Sequence, residues 1–223
     1  MPHDLDLAAW PRRDTYEFYR AFEQPWFSLC TRIDVAALKP ALAQAGVGSV
    51  SLACHYLALQ LANRLEPFRY RLQHGRVRVF DIVHASTTVL RGDDSFGFAC
   101  LPQAADFATF AAHGAAALEA ARAGLGSDGA FAPRVDDEAL LHFTTLPWVH
   151  FTSFTHARHG GSEDSIPKFA FGRIDADGAR RWMPLSVEVH HALVDGVHVG
   201  RFVQAFEAAM CDPLPWLQGS ALP

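Results

Sequence analysis

The stretch PLSVEVHHALVDGVHVGRF, residues 184–202, holds the residue types that general-base chemistry requires. Read as a strand, it alternates Leu185, Val187, Val189 and His191 on one face with Ser186, Glu188 and His190 on the other. A histidine that continues an apolar face is partly desolvated, and its neutral imidazole is the form able to accept a proton. Four residues later Asp195-Gly196 marks a tight turn ahead of a helix. A short acid there caps the helix or pairs with an arginine. The plainer alternative is a structural histidine at a strand end. A metal site is a third reading, because His190, His191, Asp195 and His198 are imidazole and carboxylate ligands in one short span. Alternation sends His190 and His191 to opposite faces, so the two do not readily chelate one ion, and no metal is expected.

The elements that must carry this strand are legible in the periodicity. Tyr16, Tyr19 and Phe22 recur at helical spacing behind Asp14, which predicts a capped helix over residues 14–24. PWFSLCTRIDV reads as a strand running into a helix from near Asp34, which Pro40 shortens or kinks. Residues 51–65 form the most apolar helix candidate. RVRVFDIV, STTVLRG and SFGFACLP read as neighbouring antiparallel strands. An alanine-rich helix over 104–123 and a loop at 124–130 follow, then strands at WVHFTSF, KFAFGRI and RWMPLSVEVHH, with a loop at 158–164 and a turn at DADG (175–178). The last helix, from Gly196 to Met210, has Val199, Phe202, Val203, Phe206 and Met210 on one face, and the proline-containing tail after it reads as irregular. Helices and strands mix without regular βαβ alternation, so the fold class is α/β in the broad sense (α+β), a single domain over residues 1–223.

Composition narrows the function. The chain has 223 residues, half of them hydrophobic and 12% aromatic, enough to fill a core. Nineteen basic against 24 acidic residues leave a formal charge of −5, with no cationic surplus for nucleic acid. No apolar run reaches membrane-spanning length and no signal-peptide pattern opens the chain, so a cytoplasmic protein is expected. The four cysteines stand singly and read as reduced thiols. Neither GxGxxG nor GxxxxGK[ST] occurs, so nothing points to a dinucleotide or ATP.

HHALVDGVHVGRF resembles the HHxxxDG signature of the chloramphenicol acetyltransferase family. AWPRRDTYEFYRAFEQPWFSLCTRIDV resembles the family's tryptophan, double-arginine and EFYR opening. TTLPWVHFTSF resembles its (S/T)-x-LPW-x-x-F-x-SF segment, and PLSVEVHH its strand into the active histidine. The segments run in order from residue 10 to residue 206 at nearly family spacing. HxxxDG alone is shared with dihydrolipoyl acyltransferase cores, BAHD acyltransferases and peptide-synthesis condensation domains.

The resemblance implies a two-layer sandwich with a mixed, largely antiparallel sheet and helices packed on it. It implies a homotrimer with active sites between subunits, taking acetyl-CoA from one side and a small alcohol, chloramphenicol, from the other. His191 carries over as the base and Thr144 as the hydroxyl donor to the tetrahedral oxyanion, where the family has serine. Asp195 becomes the partner of Arg12, both in structural support. Tyr19, Phe96, Phe131 and Phe154 match the pocket lining, and Trp148 is a contact for coenzyme A. Three further positions depart from the pattern: Ala170 stands where a threonine holds a water, Phe98 where the family is small, and His156 where it is more apolar.

Overall fold

The computed structural model describes residues 2–124, 139–158 and 163–219. The first half runs β1 (His3–Asp4), α1 (Arg13–Tyr19), β2 (Trp26–Asp34), α2 (Leu38–Ala45), α3 (Val50–Arg64), a 3-10 turn, β3 (Tyr70–Gln73), β4 (Arg76–Val79), β5 (His84–Leu90) and β6 (Phe96–Leu101). Then come α4 (Phe107–Arg122), β7 (Leu140–Leu146), β8 (Lys168–Gly172), β9 (Asp175–Asp177), β10 (Arg180–His190), α5 (Gly196–Cys211) and α6 (Leu214–Leu217).

Local chemistry accounts for the helix boundaries. The Ser49 hydroxyl accepts the Leu52 N–H at 3.2 Å and caps α3, and Asp106 accepts from the Thr109 N–H at 2.8 Å and caps α4. α2 begins at Leu38 rather than near Asp34, which puts Pro40 in the first turn, where its missing N–H costs nothing. α1 differs from expectation at both ends: Asp14 does not cap it, and it stops at Tyr19 with Phe22 outside. Asp14 falls inside the first turn instead, where its charge suits the helix dipole.

The main sheet has the strand order β2-β10-β8-β7-β5-β6, with β9 beside β10. β7 runs parallel to both β5 and β8, and the other pairings are antiparallel, giving the mixed, largely antiparallel sheet that was expected. One face carries Ala85, Phe143, Phe169, Leu185, Val187 and Val189 into a core shared with Leu57 of α3 and Phe202 and Phe206 of α5. Phe143 stacks on Phe169 at 5.0 Å, and Phe169 meets Phe202 at 5.1 Å. Among the described residues no single helix is long and apolar enough to cross a membrane.

Several expected elements are placed otherwise. β4 does not neighbour β5: it pairs with β3 and β1 in a separate sheet, turned back by His74 and Gly75, both at positive φ. WVHFTSF is not a strand. The strand is LLHFTTL just before it, pairing ends at Pro147, and residues 147–158 run irregularly. That segment crosses the far face of the sheet, where the Phe154 carbonyl accepts from Ser28 Oγ at 3.0 Å and Ser186 Oγ at 3.2 Å. Covered on both sides, β10 is buried from Met183 to His190. Residues 175–177 pair as β9, so the turn expected over DADG (175–178) lies instead at Gly178-Ala179, and the tail folds into α6.

Candidate active site

β10 ends at His190, and the His191 N–H donates to the Pro25 carbonyl at 2.6 Å. The His191 ring stacks on Tyr19, centroids 3.8 Å apart, and lies 4.8 Å from Phe27, the cross-strand partner of Val189. His191 therefore stays on the Val189 face, as alternation predicts. His190 turns the other way: it is buried edge-on to Trp26, and its Nδ1 accepts the Ala192 N–H at 3.2 Å.

Arg12 ties the following turn together. Its Nε and Nη2 donate to the two Asp195 oxygens at 2.7 and 2.6 Å. Nη1 reaches the carbonyls of Leu193 at 2.7 Å and Ala192 at 3.2 Å, and Nη2 that of His191 at 3.3 Å. One guanidinium thus fixes three successive carbonyls from the histidine onward, which lysine's single ammonium does not do. Burial alone would lift the Asp195 carboxyl, but the Arg12 hydrogen bonds and charge outweigh it and hold it below its usual value. Asp195 and His198 also form the capping box at the start of α5, in which His198 Nδ1 accepts the Asp195 N–H at 2.9 Å.

Asp195 Oδ1 also lies 3.4 Å from His191 Nδ1, an electrostatic contact longer than a hydrogen bond. A carboxylate facing Nδ1 favours the tautomer with the proton there, leaving Nε2 with its lone pair. Nδ1 is buried, while the side chain as a whole is 30% exposed. The ring is held on its face, its edge and its backbone, with Nε2 outward.

The other expected site residues form a second group. Thr144 on β7 pairs with Ala170 on β8, which pairs with Ser186 on β10. Directly paired residues share a face, so Thr144 lies with Ser186, on the side away from Val189 and His191. Phe96 and Phe98 project from edge strand β6 on that same side and are 44% and 42% exposed. Phe154 lies over the β2–β10 end of it. Arg12, Asp195, Tyr19 and His191 are therefore brought together, and Thr144, Phe96 and Phe154 share the opposite face. Phe131 lies outside the described residues.

Sequence reading passed over a buried charge network on this second face. Glu188 accepts from Arg158 Nε at 2.5 Å and from the His156 N–H at 2.9 Å, and Asp164 bridges Arg158 and Lys168 at 3.1 and 3.2 Å. Burial acts to raise the Glu188 carboxyl, but the donors on His156 and Arg158 bring it down to about 2. The available signal was an acid and a lysine inside otherwise apolar strands, which must be paired if buried. Among the described residues no group of three metal-ligating side chains comes together.

On the helix side, at the ends of β5 and β7, a cleft of about 290 Å³ opens between α3 and α4. Its walls include Ser51, His55, Thr87, Arg122, Thr145 and Trp148. Trp148 stands at its edge, 59% exposed.

A mixed sheet flanked by helices, with an HHxxxDG turn clamped by an N-terminal arginine, defines an acyltransferase of the two-layer sandwich type. The family model described as chloramphenicol acetyltransferase matches residues 3–207, and the chain belongs to that family. It is 34% identical over 220 residues to the chloramphenicol acetyltransferase of Streptomyces acrimycini, covering 97% of each chain. With chloramphenicol acetyltransferase 3 of Escherichia coli the identity is 30% over 205 residues, covering 91% of this chain and 94% of the other. A solved chloramphenicol acetyltransferase superposes with a TM-score of 0.84 at 26% identity, over 94% of this chain and all of that one. The dihydrolipoamide acetyltransferase of Azotobacter vinelandii shares the fold, with a TM-score of 0.67 at 20% identity over 92% and 88% of the two chains.

Proposed function

We propose that the protein transfers acetyl from acetyl-CoA to a primary hydroxyl of chloramphenicol, with His191 as general base. The observation that carries this reading is the His191 ring itself, immobilised by Tyr19, Asp195 and the Arg12-bound turn with Nε2 outward. Nε2 takes the hydroxyl proton as the oxygen attacks the thioester carbonyl, so no covalent acyl-enzyme is needed. The tetrahedral intermediate then expels the thiolate of coenzyme A, which recovers the proton from the imidazolium. Thr144 Oγ1 donates to the oxyanion. Trp148 borders the cleft assigned here to coenzyme A.

Thr144 and His191 lie on opposite faces of one sheet and do not meet within one chain. This supports active sites assembled between copies. In the cytoplasmic homotrimer proposed here, His191 from one subunit faces Thr144, Phe96 and Phe154 of the next.

Release of free thiol from acetyl-CoA, with and without chloramphenicol, tests the reading. Chloramphenicol-dependent release is expected, and His191→Ala should lower it roughly 10²–10⁴-fold or more with the fold intact. His190→Ala should act on stability first. Coenzyme A binding without chloramphenicol-dependent release would shift the acceptor to another small hydroxyl compound. Normal turnover by His191→Ala would remove the base assignment.

A further inference from the structure

Beside the row that bears Thr144, the sheet carries a second row that is polar throughout. Ser86 on β5 pairs with His142 on β7, His142 with Lys168 on β8, Lys168 with Glu188 on β10, and Glu188 with Ser28 on β2. His142 stands two residues before Thr144, so the two share a face, roughly 7 Å apart along the strand. The polar row therefore borders the ground on which Thr144, Phe96 and Phe154 are displayed.

At one end its polarity is taken up within the fold. Lys168 Nζ donates to the Ala157 carbonyl at 3.0 Å and to Asp164 at 3.2 Å, and Glu188 accepts from Arg158 and the His156 N–H. Ser28 Oγ donates to the Phe154 carbonyl. Arg158 and Lys168 balance Glu188 and Asp164, so the network has no net charge.

The other end is open. Ser86 and His142 are partly exposed, and neither side chain has a hydrogen-bond partner among the described residues. Burial and the Lys168 charge bring the His142 ring down to about 4, so at neutral pH it has one N–H and one bare nitrogen. The Ser86 hydroxyl, one strand spacing away, also donates and accepts. A ligand group that suits this end is neutral and both gives and takes a hydrogen bond, as a hydroxyl does. An apolar substituent pressed there would strip water from both side chains and return nothing.

We propose that Ser86 and His142 are specificity-determining residues that bind a second, non-reacting hydroxyl of the acceptor, so that small neutral diols are preferred over alcohols with one hydroxyl. The inference rests on the acyl-transfer reading above, with Thr144 at the oxyanion. Chloramphenicol, a 1,3-diol, falls in this class.

Initial rates of thiol release by the intact protein, with acceptors matched in pairs, test the subsite. One pair is chloramphenicol and its 1-deoxy analogue, and the other is propane-1,3-diol and propan-1-ol. The wild type should favour the diol of each pair about tenfold in kcat/KM, the effect of one hydrogen bond. His142→Leu should raise the KM of the diol about tenfold more than that of its partner, with the KM for acetyl-CoA little changed. His142→Gln, which keeps a donor and an acceptor, should recover most of the preference. Ser86→Ala, a one-atom change, carries the same comparison if His142→Leu does not fold. No preference in the wild type, or an equal loss for both members of a pair, would overturn the subsite and leave acetyl transfer to chloramphenicol standing. Turnover of propanediol with its preference, but not of chloramphenicol, would uphold the subsite and remove the antibiotic. Release with no acceptor of either pair would overturn both.

Discussion

Tyr19 and His191 lie face to face, ring centroids 3.8 Å apart and planes only 7° from parallel. With Phe27 at 4.8 Å and Asp195 opposite Nδ1, the stack leaves the imidazole little room to rotate. Tyr19 was expected to line the substrate pocket, and the structure gives its ring a second task. The two tasks separate by substitution. Tyr19→Phe keeps the stack and should change the acceptor KM with little effect on kcat. Tyr19→Ala frees the base and should lower kcat roughly 10–100-fold, since small misplacements of a reacting group are costly. Equal kcat values for the two variants would leave no role for the stack.

Arg12 and Asp195 form a part-buried pair whose loss strands a charge and three backbone carbonyls. Arg12→Ala or Asp195→Ala should each cost roughly 2–4 kcal/mol of stability and lower kcat as well, read by denaturant unfolding and initial rates. Arg12→Lys should recover only part of either, because one ammonium cannot reproduce the forked contacts. Full recovery with lysine would mean that charge alone holds the turn.

If each site takes His191 from one chain and Thr144 from the next, two inactive chains should complement each other. His191→Ala and Thr144→Val chains, unfolded together and refolded as an equal mixture, should regain activity in about a quarter of the sites, by random assembly of a closed ring. Each variant refolded alone should stay inactive. Absence of any gain on mixing would place both residues in one chain's site.

Acid should destabilise the protein in two stages. Burial holds His55 and His142 near 4, below the ordinary 6.5, with the Lys168 charge adding to the shift at His142. The unfolded chain takes up these protons first, so their contribution is complete above pH 6.5 and is lost as pH falls through 4. Glu188, held near 2 against an ordinary 4.5, contributes fully above 4.5 and loses that contribution toward 2. Urea midpoints at fixed protein concentration should therefore decline from pH 6.5 to about 4, where the two histidines act, and more gently below 4, where of these groups only Glu188 still contributes. A flat profile between pH 6.5 and 4 would show that the two histidines are not buried neutral.

What the residues declared by themselves was local. The period-two pattern of β10 placed His191 on the Val189 face, and the apolar stripe of α5 read correctly through Val199, Phe202, Phe206 and Met210. The motif order from residue 10 to 206 carried the family. Backbone period and helix geometry act over a few residues, so no distant partner is needed to read them.

Tertiary structure decided what depends on meeting. The apolar look of WVHFTSF argued for a strand, yet β7 takes the preceding residues, and the segment serves as a cover whose Phe154 carbonyl satisfies Ser28 and Ser186. Glu188 read only as a residue of the face opposite Val187, and that cover brings Arg158 and the His156 N–H onto it. Which face Thr144 occupies follows from register through β8 to β10, and that register is set by packing across strands distant in sequence. Only the folded chain shows His191 and Thr144 turned away from each other, because a sheet separates whatever its two faces carry.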